Sequence, residues 1–190
     1  MVIILRSDKK ELYAVVIDFL PRGRIEVIRQ QYKPEPLVQG VGKDQFKLLE
    51  LVPKVNDIQL HDVVYIGDKE RDKIERVKRR IGYEDLTQTA KMELPFAIEA
   101  IVKEDEQRFV DFYNSAVPIS IKLHMLHLLP GIGKKLLQEI LDERTKKPFE
   151  NFEDISTRIK AIPHPEQMVV KRIIEEIEDP EIKYRLFTSK

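Results

Sequence analysis

Apolar residues over the first eighty positions come in short runs broken by turn residues, and beyond Tyr83 they recur at helical spacing. Leu12 to Leu20 is a dense β-branched and aromatic run, Pro21-Arg22-Gly23 has turn chemistry, and Arg24 to Tyr32 alternates through Ile25, Val27 and Arg29. Residues 12–32 therefore predict a hairpin. Lys33-Pro34-Glu35-Pro36 stops it, because proline removes a donor and fixes φ. Further strands are expected near 37–41, 46–52 and 62–66, separated by Gly40, Gly42, Pro53, Asn56 and Asp57. Short strands at such spacing, with no long helix between them, predict a small β-barrel or rolled sheet. The stretch from Lys73 to Gly82 fits two periods. As a strand it puts Arg76, Lys78 and Arg80 on one face and Val77 and Ile81 on the other; as a helix it clusters Arg76, Arg79 and Arg80 opposite Ile74, Val77 and Ile81. Either gives a basic face, which could equally be a charged edge that guards against aggregation.

From Tyr83 to Val117 the period is helical through Leu86, Ala90, Leu94 and Ala97 or Ile98. Pro95 predicts a break or kink, and a second stretch runs through Phe109, Val110 and Tyr113 to near Asn114. Behind Pro118, which suits a first helical turn, Ile121, Met125, Leu128 and Leu129 predict a helix; Leu136, Leu137, Ile140 and Leu141 predict another. Pro130-Gly131-Ile132-Gly133-Lys134-Lys135 joins them as a very short turn. After Arg144 a loop leads to a helical stretch ending near Lys160, then Ile162-Pro163-His164-Pro165-Glu166, then a helix through Val169, Ile173, Ile174 and Ile177. This repeats the first arrangement 33 residues on, with His164 and Glu166 in the two glycine places. The expected organisation is a barrel over 1–82, a helical connector over 83–117 with one face solvated and the other packed on its neighbours, and a paired helical unit over 118–190.

The turn at 129–135 carries the chemistry. Gly131 and Gly133 can take positive φ and lack a β-carbon, so their amides can approach a flat anionic partner. The amides that open the next helix lack intrahelical partners and sit at the positive end of its dipole, which suits a phosphate oxygen. Lys134 and Lys135 add mobile charge, and Leu129 and Ile132 are expected to point inward. These residues resemble the helix-hairpin-helix modules, whose hairpin reads apolar-x-Gly-apolar-Gly followed by a basic residue. The resemblance implies sequence-independent binding to a nucleic-acid backbone through Gly131, Ile132, Gly133, Lys134 and Lys135, with a monovalent cation held by hairpin carbonyls. The second hairpin looks like the degenerate half of a tandem pair: His164 has a β-carbon, Pro165 lacks an N–H and Glu166 is negative, so it should grip poorly.

The N-terminal strands resemble an OB-like fold, in which Tyr13, Tyr32 and Tyr65 are candidate base stackers and Arg76, Lys78, Arg79 and Arg80 candidate backbone contacts. The fold class is thus α+β, an OB-like barrel followed by a tandem helix-hairpin-helix domain. Over nearly its whole length the chain is similar to an uncharacterised archaeal family of predicted nucleotide- or RNA-binding proteins. That implies a non-catalytic protein on an RNA or DNA backbone, tied to ribosomal or tRNA-related work.

Composition narrows the alternatives. The 33 basic and 33 acidic residues cancel, so polyanion binding has to be local. Charge is segregated: residues 67–80 hold seven Lys and Arg against four Asp and Glu, and 81–117 hold three against eight. Absence of cysteine removes disulfides, thiolate metal sites and a cysteine nucleophile. No apolar run approaches a signal peptide or membrane span, which predicts a cytoplasmic protein without a membrane partner. His124 and His127, three apart, could share a metal, but no carboxylate flanks them at helical spacing. A DNA glycosylase with lyase activity would use Lys135 as nucleophile beside an aspartate, and Asp142 and Asp154 lie in the wrong contexts for that family. Gly40-Val41-Gly42-Lys43 reads as a hairpin turn rather than a nucleotide loop. The competing class is a protein-interaction scaffold, and oligomeric state is not legible.

Overall fold

The computed structural model describes residues 9–23 and 35–189. The strand expected at 24–32, with Tyr32, lies outside them. The described chain is mixed α+β, with a curled five-stranded antiparallel sheet, a two-stranded ribbon and five α-helices. It divides into two compact units, residues 9–98 with 187–189, and residues 99–186. Neither 82/83 nor 117/118 is a boundary between them.

In the first unit the strands are β1 (Tyr13–Leu20), β2 (Leu37–Gly42), β3 (Leu48–Pro53), β4 (Val63–Tyr65) and β5 (Ile74–Arg80), in the order β4-β1-β2-β3-β5. Three consecutive strands with the fourth returning beside the first form a Greek key. Ala14, Val16, Val38, Leu49, Leu51, Ile58, Val64, Ile66 and Ile74 form a core on one face, with Phe19 and Val55 packed against it. Val15, Leu37, Val41 and Leu48 are buried too, so β2 is covered on both sides. The stretch at 73–81 is a strand, but not an alternating one. Its pairing with β3 shifts register between Val77 and Arg79 and again between Ile74 and Arg76. Directly opposed residues share a face, so Arg79 lies with Glu50 and Arg76 with Val52, whereas Arg80 lies with Leu49. The single basic face expected from period two is therefore split by bulges.

Helix α1 (Gln88–Glu104) starts from a polar clamp. The Thr87 hydroxyl accepts from the Ala90 amide at 3.0 Å and donates to Asp18 at 2.5 Å. Gln39, fully buried on β2, accepts from the Thr87 amide at 2.9 Å and donates to the Asp85 carbonyl at 3.0 Å. Both ends of its amide are thereby satisfied. Pro95 does not end the helix, which continues to Glu104 with Leu94, Ala97, Ile98, Ile101 and Val102 all buried. Burial of this stripe outweighs one lost backbone bond. One face of the helix is thus packed, while Gln88, Met92, Phe96, Ala100 and Lys103 on the other are exposed.

The second unit holds α2 (Glu106–Ser115), the ribbon β6 (Pro118–Ser120) and β7 (Leu123–His124), a 3₁₀ turn at Met125–Leu128, and helices α3 (Lys134–Lys146), α4 (Phe152–Arg158) and α5 (Pro165–Glu178). The helix expected from Pro118 to Leu129 does not form. Its place is taken by the ribbon and the 3₁₀ turn, because the Met125 amide donates to the Val117 carbonyl at 3.0 Å and His124 caps the turn. The buried Tyr113 hydroxyl donates to the Pro165 carbonyl at 3.0 Å, and Asn114 brackets Phe149 by accepting from its amide and donating to its carbonyl. Arg158 joins α4 to the end of α3, donating to the carbonyls of Glu143 and Lys147 and stacking on Phe149 at 4.5 Å.

The turn between β2 and β3 is held by Glu11, whose buried carboxylate accepts from the amides of Asp44, Gln45 and Lys47 at 2.7, 2.8 and 3.1 Å. A β-carbon on Gly42 would lie 2.1 Å from the Glu11 carboxyl carbon. This explains Gly42 structurally, at the end of β2 with the turn beginning only at Lys43. Gly42→Ala should displace that carboxylate and destabilise the protein by about 1–3 kcal/mol, read as a lower urea midpoint at unchanged slope.

Candidate nucleic-acid interface

Leu129 is buried at the close of the 3₁₀ turn, its amide donating to the Leu126 carbonyl at 3.1 Å. The chain then reverses over Pro130 and Gly131, and the Ile132 amide donates to the Leu129 carbonyl at 3.3 Å. Proline at the second place and glycine with φ of 91° at the third make this a type II turn. Leu129 and Ile132 both point into the core as expected. Buried Ile132 can offer a ligand only its backbone.

The two glycines differ. Gly131 needs the left-handed conformation; a β-carbon there would meet only Met168 Cε, at 3.5 Å. Gly133 does not: its φ is −88°, and a β-carbon would meet nothing within 4 Å. Gly133 is the N-cap of α3, with no side-chain cap and no acidic residue in the first turn. The first intrahelical bond runs from Leu137 to the Gly133 carbonyl at 2.9 Å, so the amides of Lys134, Lys135 and Leu136 precede the helical ladder. Lys134 and Lys135 are exposed there, against the sign that the helix dipole prefers. The monovalent cation implied by the resemblance would take carbonyl oxygens. Those of Pro130 and Gly131 accept no backbone bond among the described residues, so the donor set fits.

Ile162 repeats Leu129, its amide donating to the Ile159 carbonyl at 2.9 Å. However, α5 follows His164 directly, so one residue separates Ile162 from the N-cap where three separate Leu129 from Gly133. The second connection has lost the turn as well as its glycines, and Glu166 reaches back to His164 at 3.4 Å.

The basic residues of β5 belong to the other unit and are engaged. Arg76 and Lys78 both pair with Glu35, Lys78 at 3.3 Å. Arg79 pairs with Glu50 at 2.7 Å, and the Glu50 side chain is 0% exposed. Arg80 donates to the Ser189 carbonyl at 2.9 Å. Tyr13 and Tyr65 face each other across β1 and β4 in an edge-to-face pair 5.3 Å apart, with Tyr13 about half-exposed.

His124 and His127 are capping groups. The Leu126 amide donates to His124 Nδ1 at 3.1 Å, and the His124 amide donates to His127 Nδ1 at 3.3 Å. Histidine three residues before histidine is the legible trace of this reciprocal cap, although the types are unusual for it. Among the described residues no group of three His, Asp or Glu is placed to hold a metal. Asp142 accepts from Gln138 at 2.7 Å, and Asp154 accepts from Arg158 at 3.2 Å and the Glu150 amide at 3.1 Å. Both aspartates are thus engaged within the helical unit.

Residues 10–189 match the family described as "Protein of unknown function (DUF655)". The chain is 46% identical over 187 residues to "Uncharacterized protein MJ0038" of Methanocaldococcus jannaschii, covering 97% of this chain and 82% of that one. It is similar to the crystal structure of Af1531 from Archaeoglobus fulgidus, with a TM-score of 0.86 and 49% identity, covering 94% of this chain and all of that one.

Arg79→Ala should remove the ion-pair partner of the buried Glu50 carboxylate and cost about 2 kcal/mol in urea unfolding, less than the roughly 3–5 kcal/mol of a pair buried on both sides because Arg79 is half-exposed. An Arg79 variant of unchanged stability would refute its structural role. Burial, then the nearby Arg144 and His127, hold the His124 imidazole below its ordinary range. The unfolded chain then takes up this proton first as pH falls, so the contribution is complete above about 6.5 and is lost below it. The urea midpoint should drop between pH 7.5 and 5.5 by more in the parent than in His124→Asn, whose side chain can cap without titrating.

Proposed function

The chain belongs to the DUF655 family, and we propose that it is a non-catalytic nucleic-acid-binding protein whose partner is RNA. The observation that carries this reading is the start of α3. A helix left to stabilise itself favours a side-chain cap and an acidic first turn. This one has a bare glycine with open space above it and two lysines. A phosphate oxygen on the amides of Gly133, Lys134 and Lys135 would supply the missing negative charge and cap together. A monovalent cation on the Pro130 and Gly131 carbonyls would add positive charge beside it.

The two connections, one with its glycine turn and one shortened, support a tandem helix-hairpin-helix reading in which a four-residue 3₁₀ turn stands in the place of the first helix, and the Greek-key sheet supports an OB-like one. In this reading Arg76 and Lys78 provide a second backbone contact, with phosphate replacing Glu35, while Arg79 serves the sheet and Arg80, on the other face, holds the Ser189 carbonyl. Phosphate contacts carry no base information, so selectivity is for shape. The preference for RNA, and a ribosomal or tRNA-related role, follow the family resemblance. Asp142 and Asp154, engaged elsewhere, favour binding over lyase chemistry at Lys135. A scaffold role has one observation in its favour: Met92 and Phe96, four residues apart on α1, are 63% and 61% exposed.

Fluorescence anisotropy with a structured RNA, single-stranded RNA and duplex DNA across a salt series tests the proposal. Gly133→Ala places a methyl group where the phosphate approaches, and should weaken RNA binding about tenfold while costing the fold about 1 kcal/mol or less. Lys134→Gln with Lys135→Gln should flatten the salt slope by roughly 1.4–1.8. Absence of binding to all three probes at low salt would overturn the reading and move the weight to the scaffold.

A further inference from the structure

The β6–β7 ribbon has no part in the function above. Its turn holds Ile121, 105% exposed, next to exposed Lys122. Ribbon turns favour glycine, asparagine and aspartate, which tolerate tight backbone and like water. A β-branched apolar side chain at the tip is a poor choice for the fold alone. One exposed isoleucine carries little by itself, but three further observations give it direction.

The ribbon is rigidly set. The Met125 amide bonds the Val117 carbonyl, the Val117 amide reaches Met125 Sδ at 3.5 Å, and the two imidazole caps fix His124 to the 3₁₀ turn. It is also near the phosphate hairpin. Between tip and turn lie a two-residue strand of about 7 Å and a four-residue 3₁₀ turn of about 8 Å, so one ligand can span both. Finally, the charge is one-sided. Residues 112–138 contain no acidic residue, in a chain with 33 among 190, yet they include Lys122, Lys134 and Lys135. That acid-free window encloses the ribbon and the hairpin together.

We infer that the β6–β7 ribbon is a wedge whose Ile121 enters an unstacked or bulged step of the RNA held by the hairpin, with Lys122 on the adjacent phosphate. This rests on the nucleic-acid reading and gives it a substrate class, duplex RNA with a local discontinuity. Apolar wedges between bases are a general device, and they cost least where stacking is already broken. The His124–His127 cap then has a purpose beyond the fold, holding wedge and grip at one spacing.

The test uses the full chain with two RNA stems, one continuous and one with a single-nucleotide bulge, each carrying 2-aminopurine at the same place. The parent protein should prefer the bulged stem about fivefold and raise its fluorescence about twofold. Ile121→Ala should lose both effects, and Ile121→Met, still apolar, should restore most of each. Lys134→Gln with Lys135→Gln should weaken binding to both stems. A parent that binds both stems equally without a fluorescence change overturns the wedge and leaves the grip standing, as does an Ile121→Ala variant that behaves like the parent. A parent that binds neither stem overturns both.

Discussion

The helical unit turns on one constraint: Leu129 and Ile132 must both be buried while the chain between them reverses. Three residues apart, they satisfy this through a type II turn whose third residue takes a left-handed conformation, Gly131 at φ of 91°. Beyond these anchored side chains Gly133, Lys134 and Lys135 are exposed, and the amides of Lys134, Lys135 and Leu136 precede the helical ladder. The exposed start of α3 thus follows from a packing requirement. What packing does not require is the absence of a β-carbon at Gly133 or the pair of lysines that follows. Those are the features for which a ligand is the economical explanation.

The sheet unit depends on a different kind of constraint, a buried polar one. Gln39 and Glu50 sit on adjacent strands among apolar neighbours and are 0% exposed. Gln39 reads both sides of the segment that starts α1, and Glu50 draws Arg79 across β5. A buried polar group left unpaired costs more than its bond contributes, so such a network specifies where the helix begins and in which register β5 pairs. Arg79 is consequently committed to the fold, although in sequence it is indistinguishable from Arg80.

What was legible follows from what was local. The strands β1, β2 and β3 announce themselves through β-branched runs between turn residues, and the type II turn through Pro130-Gly131. Three features were not local. The bulges in β5 arise from its match to β3, so no periodicity inside 74–80 could reveal that Arg76 and Arg80 face opposite ways. Ile121, Met125, Leu128 and Leu129 do lie at helical spacing, but strands of two and three residues are too short to express a period of their own, and a long-range bond from Met125 to Val117 decides between them. Residues 187–189 belong with the sheet unit although the 88 residues 99–186 separate them from it in sequence, as buried Phe187 shows only in three dimensions. The acid-free window at 112–138 was legible throughout; it is an absence, and reading charge as runs of like sign passes over it.

The two hairpins argue about selection more directly than either does alone. Both close a 3₁₀-like turn with a buried aliphatic residue, Leu129 or Ile162, and both bury the residue three further on, Ile132 or Pro165. The core therefore asks the same of each. Pro165 meets that demand while starting α5 itself, which removes the left-handed residue and two positions of chain. The shorter solution shows that the glycine turn is not the only way to join such helices. At the first hairpin the longer and entropically costlier form persists, together with lysines that oppose the helix dipole. Joining the helices does not by itself require the glycine turn or the lysines, and the second connection shows the same core met without either.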